Sequence, residues 1–224
     1  MSLPAPAAPT RQPAVAAVLI AAAVLQLAAM AFHPVAHGDS AAERIASIAA
    51  QAPLSAHVHG LLILLVLATW LALAQYSGPR AQRPLVRCAE RLYGLGVAGM
   101  LGAALVNGFA VGHFAARALR AGDAALAAAP SVLLFAASLN QVLAGFGTLL
   151  LSCGIAAWAL DLWRAPGVLA RLVAVYGMTA AMACCVAYLG GLRLDVAGMG
   201  AVMLAQALWC VLLGVLLLQP PAQQ

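Results

Sequence analysis

Apolar runs longer than 18 residues recur from one end of this chain to the other, built from Ala, Leu and Val with few charges among them. A stretch of that length and polarity is enough to cross the hydrocarbon of a bilayer as a helix. In a soluble domain the outer face of each helix must be polar, and 224 residues of which 65% are hydrophobic and 8% charged leave too few polar groups to coat those faces. Strands of an outer-membrane barrel alternate in polarity over about ten residues, whereas these runs are continuous. The fold class is therefore all-α, a polytopic transmembrane bundle, because a helix satisfies its own backbone groups in lipid.

Six spans are predicted. The first 12 residues, rich in Pro and Ala, read as a disordered cytoplasmic tail. Span one covers about Ala14–Phe32, span two Ala56–Gln75 and span three Glu90–Leu119. Span four starts after Pro130 with Ser131 as its N-cap and reaches Trp163, long enough to require tilt or a bend near Gly145 and Gly147. Spans five and six cover Gly167–Leu189 and Asp195–Leu218. Residues 13–219 then form one six-helix domain, followed by a tail over 220–224. Ala29, Met30 and Ala31 imitate a signal-peptide cleavage site, but the apolar run before them, at about 18 residues, exceeds the usual signal core, so it is kept as a span.

Ser40 and Glu43 have the spacing of a capping box, and Ile45, Ile48 and Ala49 form an apolar stripe after them. A short amphipathic helix lying on the outer surface is expected over about 40–52. Within span three, Gly94, Ala98 and Gly102, then Gly108 and Gly112, place small residues four apart, which suits close helix packing.

Every cation is an arginine. With the N-terminus inside, cytoplasmic segments carry Arg11, Arg80, Arg83, Arg87, Arg91, Arg164 and Arg171, against Arg44, Arg117, Arg120 and Arg193 outside. Seven against four favours an N-in, C-in protein of a bacterial inner membrane. The pI near 9.3 thus reflects membrane topology, and without basic residues interleaved with aromatics it gives no sign of a nucleic-acid partner. The partner that composition implies is the lipid bilayer. Nothing in the residues fixes a homo-oligomer or a membrane-protein partner.

All five histidines fall at one side of the bilayer in this topology: His33 and His37 after span one, His57 and His59 opening span two, His113 near the end of span three. If Ser55 caps span two, His57 and His59 lie roughly 3 to 6 Å below the rim and His113 about 9 Å. Residues two apart point to opposite sides of a helix, so one of His57 and His59 can meet His113, and His59 is the deeper. A transition-metal site of His59 and His113, completed by His57 or His37, is the expectation, with Asn107 behind it. Met30, Met178, Met182, Met199 and Met203, all but Met178 clearly in the outer half, with Cys184 and Cys185 at comparable depth, supply soft donors, which makes copper the first metal to expect. The same pair, His59 and His113, could instead hold a b-type haem. A third reading is a scaffold or small-solute facilitator, with interfacial histidines merely bonded to water and headgroups.

Asn107, Asn140, Gln141, Thr179 and Gln206 each fall 9 to 11 residues from the outer rim and are expected to form a polar layer near mid-membrane. No Asp, Glu or Arg lies deep in a span. No paired carboxylates, nucleophile elbow or phosphate loop stands out, and no catalytic residue is assigned. The five cysteines avoid the outer loops and form no disulfide framework.

Overall fold

The computed structural model describes residues 11–220, so the expectations for most of the N-terminal tail and for the last four residues lie outside it. It is an all-α bundle of six long, apolar helical units, each long enough to span a membrane. The units are α1 (Pro13–Ala31), α2 (Ala41–Ser77), the continuous pair α3 (Pro84–Leu105) and α4 (Val111–Ala121), α5 (Asp123–Trp163), α6 (Val168–Leu189) and α7 (Val196–Leu218). One π-helical turn, Val106–Ala110, joins α3 to α4.

Two expected helix starts are overturned. Ser55 does not cap the second span: α2 starts at Ala41 and runs through Pro53, so the surface helix and the span are one element of 37 residues. Ser131 likewise caps nothing, because α5 starts at Asp123 and passes through Pro130. An internal proline costs a helix about 3 kcal/mol, and here tertiary packing outweighs it. Ile45 of α2, Ala115 and Ala118 of α4 and Ala129 of α5 bury against one another, joining the segments before Pro53 and Pro130. The capping box itself forms as expected, with Glu43 N–H donating to Ser40 Oγ (3.2 Å) and Ser40 N–H to Glu43 Oε2 (3.2 Å).

The main core draws on all six units and includes Trp158, Trp209, Tyr93 and Leu213, with Leu73 and Tyr76 of α2 and Val173 of α6. Helices α3 and α5 approach most closely. The closest approaches are at Gly96 and Gly99, outside the expected series: an added Cβ on Gly96 would lie 2.7 Å from the Leu151 nitrogen, and one on Gly99 3.0 Å from the Gly147 nitrogen. Of the expected series, Gly102 faces Leu143 of α5, and Gly108 and Gly112 pack closely on His59 and Ala52 of α2. Gly94 instead faces the Trp70 ring, and Ala98 is exposed. Gly145 and Gly147, where a bend was expected, serve contact: Gly145 receives the Tyr188 hydroxyl and Gly147 the Met100 side chain.

One end of the bundle is locked by charge. Arg83 donates to both Asp161 oxygens at 3.2 and 3.1 Å. Arg80 lies 3.8 Å from Asp161 and stacks 3.6 Å above the Tyr76 ring. Just inside this lock Trp158 Nε1 donates to Ser77 Oγ at 3.0 Å.

Candidate functional site

At the opposite end, a cavity of about 360 Å³ opens among α1, α2, α3, α5 and α7. His59 reaches it from the middle of α2 and is 5% exposed. Its Nδ1 lies 2.8 Å from the Ser55 carbonyl oxygen. A carbonyl only accepts, so Nδ1 carries the proton and Nε2 presents a lone pair. That lone pair receives the Asn107 amide at 3.2 Å. The π-turn sets this pairing: it carries Asn107, and its Gly108 has no side chain where a Cβ would collide with His59. Such turns are frequent at functional sites.

His33, in the segment after α1, meets His59 edge to face with ring centroids 4.9 Å apart. Its Nδ1 donates to the Pro34 carbonyl at 3.0 Å, so it too turns an unprotonated Nε2 outward. Burial holds this imidazole below the ordinary histidine range, against the opposing pull of the Pro34 carbonyl. The segment is tied down over the cavity: Gln51 Nε2 donates to the Val35 carbonyl (3.0 Å), Arg44 Nε to the Gly38 carbonyl (2.9 Å), and His37 N–H to Ser47 Oγ (3.0 Å).

The other expected ligands are elsewhere. His113 is exposed on α4, His57 is exposed on α2 with Nδ1 donating to the Pro53 carbonyl at 2.7 Å, and His37 is exposed. None of the three lines the cavity. The pair expected from span geometry, His59 with His113, is not brought together: Gly108 packs on His59, whereas Gly112, next to His113, packs on Ala52, about two turns away along α2, and His113 is exposed. The sequence puts His33 on the same side of the bilayer as His59 but outside the expected ligand set. Its contact with His59 depends on how the segment folds back, which no periodicity reports.

Among the expected soft donors, Met30, Met199 and Met203 line the cavity. Met178 and Met182 do not line it, and Met182 is 64% exposed. Cys184 is buried away from the cavity beside Ala144 and Val202. Among the described residues no three side chains of His, Cys, Asp or Glu gather as a metal-holding group. Two imidazoles with thioethers nearby are what this cavity offers.

The amide layer divides. Asn107, Asn140, Gln141 and Gln206 all line the cavity, whereas Thr179 is exposed on α6. Gln141 sits at the rim, donating to the Leu194 carbonyl (2.9 Å) and accepting from the Leu194 N–H (3.0 Å). Gln206 is deeper and donates to Ser152 Oγ at 3.2 Å, and Gln26 of α1 donates to Thr69 of α2 at 3.1 Å. Asp195 supplies a carboxylate at the mouth, where it caps α7 by accepting from Gly198 N–H at 2.9 Å. No arginine lines the space, so its polar groups favour a cation or a neutral hydrogen-bonding ligand.

Comparison with family models, with curated proteins and with solved structures finds no match. The reading of the site rests on its own geometry.

Proposed function

We propose that this is an integral membrane protein that binds a soft transition-metal ion, copper(I) before others, in the cavity beside His33 and His59. The single observation that carries the reading is the meeting of buried His59 with half-buried His33, each with Nδ1 bonded to a backbone carbonyl and Nε2 unprotonated. That is the form of histidine that binds metal, with its orientation fixed by the bond on the other nitrogen. The His59 Nε2 accepts from the Asn107 amide, which an incoming metal would displace. Met30, Met199 and Met203 would supply sulfur, which copper(I) accepts alongside imidazole. Asp195 would draw a cation to the mouth.

In this reading the protein lies in a bacterial inner membrane with both termini in the cytoplasm and the cavity opening to the periplasm. The charge distribution supports that orientation. The end bearing Arg80 has seven arginines against Glu90 and Asp161, while the cavity end has four arginines against Asp39, Glu43, Asp123 and Asp195. The whole formal charge of +5 therefore belongs to one end.

Purified protein loaded with copper(I) under reducing conditions should retain the metal after desalting. The double variant His33→Ala with His59→Ala should lose it, while His57→Ala with His113→Ala should keep it. Full retention by the first variant overturns the site, and a Soret band in the purified protein replaces copper with haem. A second reading draws on the reach of the cavity past the imidazoles to Gln206 and Cys210: an uncharged small solute held by the amides. Binding unaffected by chelators would favour it.

A further inference from the structure

A second concavity, of about 430 Å³, lies at the arginine-rich end and is formed by Pro84, Arg87, Cys88, Arg91, Leu92 and Leu95 of α3. Its chemistry changes along the helix. Arg87 and Arg91 are one turn apart near the helix start, and Leu95 follows on the same face one turn further in. All three are exposed, on the side of α3 opposite the residues that pack on α5. The two arginines differ from their neighbours Arg80 and Arg83, which share the buried Asp161 carboxylate. No ion pair involves Arg87 or Arg91 among the described residues, and Glu90 between them is bonded to neither.

Length places these groups at a headgroup level. The unit Pro84–Ala121 has 38 residues, or about 57 Å at 1.5 Å per residue, against about 30 Å of hydrocarbon. Its first two turns can therefore stand outside the acyl region while Leu92 and Leu95 enter it. A guanidinium pair above an apolar groove matches a phosphate above a hydrocarbon chain.

We propose that this groove binds an anionic phospholipid, with Arg87 and Arg91 on the headgroup phosphate and an acyl chain along Leu92 and Leu95. The inference is independent of the copper reading, since the groove and the cavity share no residue.

The test is native mass spectrometry of the full chain released from nanodiscs of phosphatidylcholine doped with phosphatidylglycerol. The wild-type protein should retain phosphatidylglycerol in preference to phosphatidylcholine, and equal retention of the two would overturn the proposal without any variant. Arg87→Gln with Arg91→Gln should lower phosphatidylglycerol binding roughly thirtyfold, from about fivefold per arginine. Arg117→Gln with Arg120→Gln at the other end should leave it unchanged, and an equal loss there would reduce the effect to net charge and overturn the site. Inorganic phosphate in excess should not displace the lipid. Displacement would identify a plain anion site and also overturn the assignment.

Discussion

Asp161 is the residue on which the arginine end closes. Its side chain is 6% exposed and faces Arg80 and Arg83, themselves 12% and 30% exposed. A buried pair contributes little net stability when complete, because desolvation offsets attraction, but removing one partner strands the other charge. We expect Asp161→Asn to destabilise the protein by about 2–3 kcal/mol, a value discounted for the water that still reaches Arg83. Thermal unfolding in detergent, monitored by circular dichroism, measures it, and an unchanged midpoint would show that the lock is dispensable. The sequence marks Asp161 as a helix-end acid and the two arginines as part of a topology signal. Nothing in it tells which of seven arginines on that end are neutralised, because the pairing joins residues 78 positions apart.

At the scale of elements, the π-turn in the α3–α4 unit decides which polar group meets His59. Gly108 is where that turn touches the imidazole, so Gly108→Ala should push His59 from the cavity while the main core, which lies away from it, stays packed. Copper retained by that variant should fall at least tenfold with a melting midpoint close to wild type, and retention at wild-type level would show that His59 is not held by this contact. Periodicity and capping gave good bounds for α6 and α7 and found the Ser40–Glu43 box, because those signals are local. Ser55 and Pro130 misled as helix starts, because α2 runs on through Pro53 and α5 through Pro130, with Ile45 and Ala129 buried among helices distant in sequence. The same limit hid the cavity: the amides were legible as groups that lipid would not tolerate, but Gln206 and Thr179 are told apart only by the rotation of their helices.

For the whole molecule, six apolar units bring the two ends of the described chain to one end of the bundle, where Gln12 N–H donates to the Leu217 carbonyl at 3.0 Å. With all of the net charge at that end, reporters fused to either terminus should be active only in the form that reads the cytoplasm. A periplasmic reading at both would invert the protein and turn the cavity toward the cell interior.

The cavity ends below at Tyr93, whose ring lies 5.4 Å from Trp158, and Trp158 stacks on Trp209 at 6.1 Å. Three aromatic rings, two of them at 1% and 0% exposure, make a solid floor. Copper held beside the histidines, as proposed above, would therefore be expected to leave through the mouth at Asp195 rather than past these rings.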